Sequence, residues 1–154
     1  MKISGSALKN IAFTASAKTL TPDAQGELRL RAEDAELHGD QIGTEIRGDH
    51  LNIAFWDKSA EWVSWPVRLP QPGTYKLSAS IASLPGGSEF VIDIGGQQLH
   101  GKAEKTADWD QFHELNLGQI EVKTPGEHVV MMRPNDPEHW HPMNLRFLKL
   151  VKAD

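Results

Sequence analysis

Short runs in which apolar and polar residues alternate recur along this chain. Residues 74–82 form the clearest run, with four apolar side chains on one face: Tyr75, Leu77, Ala79 and Ile81. Residues 63–69 and 89–94 repeat the pattern. A period of two residues is typical of a strand with one face buried and the other solvated. Each of these runs is therefore predicted to be a β-strand.

Two later runs depart from simple alternation. Residues 129–132 are apolar at every position, which predicts a strand covered on both faces and central in its sheet. Residues 143–152 predict a final strand, but Phe147 and Leu148 are adjacent apolar residues that fall on opposite faces. Either a β-bulge or burial on both sides would account for this change of phase.

Turn residues separate the predicted strands. They occur as Pro72-Gly73, Pro85-Gly86-Gly87, Gly95-Gly96 and Pro125-Gly126. No segment predicts a helix, and residues 103–110 are predicted to be a loop. Many short strands with such turns indicate an all-β sandwich or barrel. We expect residues 27–154 to form this domain and residues 1–26 to be a leading strand or linker, with a short strand at residues 11–13 and a turn at residues 21–26.

Composition narrows the range of functions. The 154 residues suit one domain, and 39% are hydrophobic, which predicts a folded chain. A net charge of -5 gives no electrostatic reason to bind nucleic acid or an anionic membrane. The absence of cysteine excludes thiol catalysis and thiolate metal sites. The first residues lack the apolar stretch of a signal peptide, so we expect a cytoplasmic protein or a piece of a longer exported chain.

The aromatic residues suggest a binding chemistry. The chain has five tryptophans and one tyrosine. Trp62 and Trp65 lie in one predicted strand on opposite faces, and Trp65 belongs with the core stripe. Three others lie at strand ends or in polar loops: Trp56, Trp109 and Trp140. Flat aromatic rings pack against the apolar C–H faces of pyranose sugars, although packing inside the protein is an equally good explanation for each tryptophan. Polar residues near them in sequence are Asp57, Glu61, Asp110, Arg133 and Asn144.

The order of several motifs resembles the family 6 and family 35 carbohydrate-binding modules. The longest match is Glu61-Trp62-Val63-Ser64-Trp65-Pro66-Val67 followed by Pro72-Gly73-Thr74-Tyr75. Further matches are Arg31-Ala32-Glu33-Asp34-Ala35 as an opening strand, Gly95-Gly96-Gln97 as a hairpin, Thr106-Ala107-Asp108-Trp109 as a loop, Pro125-Gly126-Glu127-His128-Val129, and Asn144-Leu145 near the end. The matches span about residues 30–151. Asn52-Ile53-Ala54-Phe55-Trp56 and Asn144-Leu145-Arg146 are also similar to the C-terminal sandwich of some bacterial α-L-fucosidases.

This resemblance implies a jelly-roll β-sandwich of the galactose-binding type, with a ligand cleft in the loops at one end. The positions that match the cleft are Phe55 or Trp56, Trp109 and Asn144, to which we add Trp140 from the loop before Asn144. The aromatic rings would enclose a sugar and the amide would bind its hydroxyl groups. An oligo- or polysaccharide partner follows, together with a secreted or periplasmic location as part of a longer bacterial protein.

The resemblance also implies a structural calcium ion, for which Glu33 and Asp34 are the candidates. Arg31 and Arg146 stand near that place, however, and Arg146 is expected to pair with an acid instead. A metal site in which His139 and His141 are joined by His113 or His128 is a weaker alternative. Nothing in the sequence marks a catalytic pair, so no catalytic residue or cofactor is predicted. The competing hypothesis is a sandwich that braces a catalytic domain and has no ligand of its own.

Overall fold

The computed structural model describes residues 18–153, which form two antiparallel β-sheets packed face to face. The strands are β1 (Glu27–Arg31), β2 (Glu36–His38), β3 (Gly43–Arg47), β4 (His50–Ala54), β5 (Trp62–Leu69), β6 (Gly73–Ala82), β7 (Glu89–Ile94), β8 (Gln97–Lys102), β9 (His113–Val122), β10 (Gly126–Pro134) and β11 (Asn144–Ala153). The all-β sandwich predicted from the sequence is confirmed.

The strands are not ordered in the sheets as they are in the chain. The six-stranded sheet has the order β3-β4-β11-β6-β9, and β1 also pairs with β11. The five-stranded sheet has the order β2-β5-β10-β7-β8. The strand β10 that was expected to be central is the middle strand of its sheet, with Val130 and Met132 in the core. Its other face is partly solvated, because Val129 is 48% exposed.

The core lies between the sheets and is made of the alternating apolar residues. In β5 the inward side chains are completely buried: Val63, Trp65, Val67 and Leu69. The four apolar residues of β6 are buried as well. Trp65 therefore has the core position predicted for it, whereas Trp62 lies half-buried on the outer face of the same strand.

The change of phase in the last strand is a β-bulge. In the pairing of β11 with β6, Leu145 faces Ile81 and Phe147 faces Ser80, so Arg146 is the extra residue. Leu145 and Leu148 both reach the core as a result. The bulge also turns Arg146 and Phe147 towards the outer face of the six-stranded sheet.

The expected opening strand at residues 31–35 is wrong. Strand β1 ends at Arg31, and Ala32–Asp34 forms a 3-10 turn in which Ala35 N donates to Ala32 O at 3.2 Å. A second 3-10 turn covers Pro137–His139. Residues 103–110 have no helix or strand, as predicted. None of the helical segments within residues 18–153 has the length and apolar character that a membrane crossing requires.

Part of the leading segment is joined to the sandwich. Leu20 forms a parallel bridge to Val67, with hydrogen bonds from Leu20 N to Pro66 O and from Arg68 N to Leu20 O. A turn follows in which Gly26 N donates to Asp23 O, as the sequence predicts. The predicted strand at residues 11–13 lies outside the described residues.

Candidate functional site

A cavity of about 230 Å³ lies at one end of the six-stranded sheet. Four segments far apart in sequence meet there: strand β3, the end of β4, the loop between β8 and β9, and the start of β11. The lining residues are Glu45, Arg47, Ala54, Phe55, Asp57, Trp109, Pro142 and Asn144. Three of the sequence-predicted site residues, Phe55, Trp109 and Asn144, are thus brought together.

Phe55 has a strained backbone and an exposed ring. Its φ angle is 60°, and it is the only non-glycine residue with a positive φ angle among residues 18–153. A bulky residue in this left-handed region costs on the order of 1–3 kcal/mol. Its side chain is nevertheless 53% exposed. The backbone therefore holds an apolar ring at the cavity wall, where packing gives little in return.

Asn144 joins the loop between β8 and β9, which contains Trp109, to the six-stranded sheet by hydrogen bonds. It is 5% exposed, and its Nδ2 donates to Trp109 O at 3.0 Å and to Glu45 Oε2 at 3.3 Å. The loop is also held by Thr106, whose Oγ1 accepts from Ser83 N at 3.0 Å and donates to Asp108 O at 2.8 Å. The position of Trp109 is thus set by hydrogen bonds on both sides of the loop.

Glu45 is the centre of the polar floor of the cavity. Its Oε2 accepts hydrogen bonds from Arg47 Nε at 2.6 Å, from Asn52 Nδ2 at 3.3 Å and from Asn144 Nδ2. Sequence reasoning did not select Glu45 or Arg47. The alternation of β3 places both on the outer face of the sheet, but nothing in the sequence connects that face with Asn144.

Two carboxyl groups flank Trp109 on the rim. The interaction between Asp108 and Asp110 lowers the pKa of Asp108 and raises the pKa of Asp110. Asp110 is therefore the one that takes up a proton first as the pH falls. Both side chains are fully exposed, so this affects the local charge and has little bearing on stability.

Trp56 and Trp140, which sequence analysis placed in the binding site, do not line the cavity. Trp56 is completely buried, and its Nε1 donates to Glu61 O at 2.8 Å. Trp140 donates through Nε1 to Trp56 O at 2.8 Å, packs against the core, and has its ring centre 5.2 Å from that of Trp56. Backbone carbonyl groups satisfy both indole N–H groups, so these rings can pack inside the protein. The aromatic residue of this segment that lines the cavity is therefore Phe55.

Glu61 is also structural. It is 4% exposed, and its two carboxylate oxygens accept from Gln41 N and Ile42 N, both at 2.9 Å. The carboxylate thus accepts from two backbone N–H groups just before β3. Glu61 does not line the cavity.

A second cavity of about 430 Å³ lies beside the first, on the outer face of the six-stranded sheet. It is lined by Arg29, Arg31, Glu33, Asp49, His50, Leu51, Arg146 and Phe147. Three guanidinium groups do not suit a calcium ion, which needs several oxygen ligands. Asp34 is not in this lining, and no group of three acidic or histidine side chains that could hold a metal occurs in residues 18–153.

Arg146 does not have the acidic partner expected from the sequence. It makes no ion pair with any described residue, and its guanidinium lies 4.1 Å from the centre of the Phe112 ring. Of the two histidines considered for a metal, His139 is paired with Asp136 at 2.7 Å.

Comparison with known proteins gives a family match and a distant relative. Residues 40–138 match the profile of a family described as a domain of unknown function, DUF5077. The beta-agarase AgaA of Microbulbifer thermotolerans is 24% identical over 124 residues. The alignment covers 77% of this chain and 28% of the agarase, so the chain spans less than a third of that relative.

Solved structures with the same fold include three carbohydrate-binding modules. The C-terminal family 6 module of LamC, a laminarinase of Zobellia galactanivorans, has a TM-score of 0.69 at 18% identity, covering 82% of this chain and 99% of the module. A family 35 module of Clostridium thermocellum has a TM-score of 0.69 at 17% identity, covering 82% and 98%. A family 6 module of Cellvibrio mixtus lichenase 5A, in complex with cellotriose, has a TM-score of 0.65 at 20% identity, covering 82% and 97%.

Proposed function

We propose that this chain, which belongs to the DUF5077 family, is a non-catalytic carbohydrate-binding module. Its ligand would be an oligo- or polysaccharide that occupies the cavity between Phe55 and Trp109. Its partner in the cell would be a glycan-active catalytic domain, because the agarase relative is more than three times as long as the aligned region.

The observation that carries the proposal is the strained, half-exposed Phe55, which lines one cavity together with Trp109. Backbone strain of this kind persists where the surrounding structure imposes it, and it is found mainly at functional sites. An exposed phenylalanine and a partly buried tryptophan beside buried polar groups have the composition of a site for a molecule with apolar faces and a hydroxyl rim.

The polar groups of the cavity have complementary roles. Among the described residues, Glu45 Oε2 accepts all three hydrogen bonds to that side chain, which leaves Oε1 to accept from a sugar hydroxyl. Arg47 would supply donors from the same floor, and Asn144, whose Nδ2 already donates two hydrogen bonds, would offer its Oδ1 as an acceptor. The ionisable lining consists of two carboxylates, Glu45 and Asp57, and one guanidinium, Arg47, so it has no excess positive charge for an anionic ring and an uncharged ring suits it.

Isothermal titration calorimetry against a glycan panel tests the proposal. The panel would contain oligosaccharides of agarose, cellulose and xylan, since the relative and the neighbouring structures are named for agarose, cellotriose and xylose. Trp109→Ala is expected to weaken binding by about 5- to 150-fold, because stacking of a nucleic-acid base on one aromatic ring is worth about 1–3 kcal/mol and a similar loss is expected for a sugar ring. The matched control Trp62→Ala removes a half-buried tryptophan from the other sheet and should leave binding unchanged.

The second candidate function is a brace without a ligand. It is favoured by Trp56 and Trp140, because both rings are used for internal packing instead of binding. If no glycan in the panel binds to the folded protein, the carbohydrate-binding proposal is overturned and the brace remains.

A further inference from the structure

The second cavity is a neighbour of the candidate sugar site on the outer face of the six-stranded sheet. Arg47 lines the first cavity, and its cross-strand partner His50 lines the second. Along β11, Asn144 belongs to the first cavity and Arg146 to the second. Directly opposed residues of antiparallel strands lie about 5 Å apart, so the two cavities are neighbours.

The second cavity is rich in guanidinium groups. Arg29 and Arg31 point outward from β1, while Leu28 and Leu30 between them are buried in the core. Arg146 reaches the same cavity from the bulge of β11. Three arginines from two strands thus face one space.

These arginines are only partly neutralised. Arg31 and Arg146 form no ion pair with a described residue, and Arg146 Nε is buried without a hydrogen-bond partner. Arg29 is bonded to Glu27 at 3.4 Å. Two acids line the cavity. Asp49 lies 3.4 Å from His50, so Glu33 is the acid that remains to offset the charges of Arg31 and Arg146. A buried N–H donor without a partner has lost its hydrogen bonds to water and has formed none in the protein. A ligand that offers a hydrogen-bond acceptor would restore that bond.

We propose that this cavity binds the anionic substituent, a sulfate ester or a carboxylate, of a glycan whose uncharged ring occupies the Phe55–Trp109 cavity. Guanidinium groups bind both anions through paired N–H donors. This inference rests on the proposed function and adds the ligand class to it: an acidic polysaccharide that carries charged and uncharged units.

The test compares matched glycans in calorimetry: a neutral galactan oligosaccharide with its sulfated form, and a xylo-oligosaccharide with its glucuronate-substituted form. We expect the charged member of at least one pair to bind more tightly. The sulfated pair and the uronate pair distinguish the two sources of the anion. Arg31→Gln should weaken binding of the charged glycan about fivefold, as expected for a partly exposed ion pair, and leave binding of the neutral glycan unchanged.

Two further variants serve as a second test and as a control for this result. Arg146→Gln should show the same selective loss, and Arg31→Gln remains informative if Arg146→Gln fails to fold, because Arg31 is exposed. The matched control Arg68→Gln removes an exposed arginine of the other sheet, 4.0 Å from Glu127, and should affect neither glycan. Equal affinity for charged and neutral glycans would overturn the inference, and so would an equal loss in Arg68→Gln.

Failure of this inference can be told from failure of the proposed function. If the wild-type protein binds neutral glycans through Trp109 but gains nothing from the charged group, only the anion site is overturned. If no glycan binds at all, inorganic sulfate is titrated while the Arg146 Nε–H signal is followed by NMR. A saturable shift that is lost in Arg31→Gln would support the anion site by itself, and no shift would overturn it.

Discussion

At the level of single residues, hydrogen-bond partners decide which polar and aromatic side chains are available to a ligand. The indole N–H groups of Trp56 and Trp140 are bonded to backbone carbonyls, and both rings pack in the interior. Trp109 instead contributes its backbone carbonyl to Asn144 and is one of the residues that line the cavity. The three tryptophans look alike in sequence, and only these partners separate them.

Glu45 gives a prediction at this scale. Glu45→Ala removes the acceptor shared by Arg47, Asn52 and Asn144, so the cavity floor is expected to lose its order. Glycan affinity should fall at least tenfold, and the free energy of unfolding should decrease by about 1–2 kcal/mol. Calorimetry and urea unfolding measure the two effects.

The positioning role has a readout of its own. The Asn144 side-chain amide signals should shift in the ligand-free Glu45→Ala protein, while Glu45→Gln, which keeps an acceptor, should restore most of the affinity. An unchanged Asn144 amide would show that Glu45 does not position it.

At the level of elements, close contacts between paired strands hold the five-stranded sheet together. Phe90 of β7 is directly opposite Gly101 of β8 and is completely buried. A Cβ atom at Gly101 would lie 2.4 Å from Phe90 Cζ and 2.8 Å from Leu117 Cδ2. The absence of a side chain at Gly101 thus leaves room for the Phe90 ring to pack against the edge strand β8.

Gly101→Ala is therefore expected to lower the free energy of unfolding by about 1–3 kcal/mol, as overpacking does in other cores. Gly43→Ala is the matched control in an edge strand, because its nearest neighbour would be Phe55 Cδ2 at an ordinary 3.7 Å. Urea unfolding of both variants measures the difference. Equal destabilisation would show that the contact with Phe90 is not the cause.

A second contact joins β2 to β5 on the outer face. The rings of His38 and Trp62 are stacked with centres 3.7 Å apart, and His38 Nε2 lies 2.8 Å from Ser64 Oγ. Burial lowers the pKa of His38 below the ordinary value of 6.5, and the charge of Glu36 opposes this in part. The folded protein thus favours the neutral ring.

This contact predicts a pH dependence. A lowered pKa in the folded state stabilises the protein above about pH 6.5, and that stability is lost as the pH falls through the pKa of the folded state. The free energy of unfolding should decrease with acidification in this range, and His38→Gln should reduce the slope. An NMR titration checks the cause directly: the midpoint for His38 is expected below 6.5, and a midpoint at or above 6.5 would contradict the prediction.

At the level of the whole molecule, the sandwich extends further towards the N-terminus than the boundary at residue 27 suggests. Leu20 is 9% exposed and belongs to the core, and its backbone is bonded to Pro66 and Arg68. Burial of one leucine side chain contributes about 1.5–3 kcal/mol.

A chain that begins at residue 27 should therefore be less stable than one that begins at residue 18, by about 1.5–3 kcal/mol. Urea unfolding of the two truncated proteins gives the difference. The Leu20→Ala variant of the longer protein should show most of the same loss. If both truncated proteins have the same free energy of unfolding, residues 27–154 are a sufficient domain.

The sequence by itself determined the class of fold and most of the core. Alternation at a period of two decides which side chains of a strand face inward, and this information is local, so β5, β6 and β7 and their buried faces could be predicted. The break of that period in β11 was visible for the same reason, but the sequence left a bulge and burial on both faces as alternatives, and the strand pairing decided for the bulge.

The sequence predicted Phe55, Trp109 and Asn144 as site residues, but only the tertiary structure showed that they line one cavity together with Glu45. Residues 45, 55, 109 and 144 meet because β11 lies between β4 and β6, and strand order depends on contacts between segments distant in sequence. The same order brings Arg31 and Arg146 into one cavity, which an isolated pattern cannot show. The burial of Trp56 was likewise settled by the packing of Trp140, 84 residues later, because two rings and a carbonyl group had to meet in space.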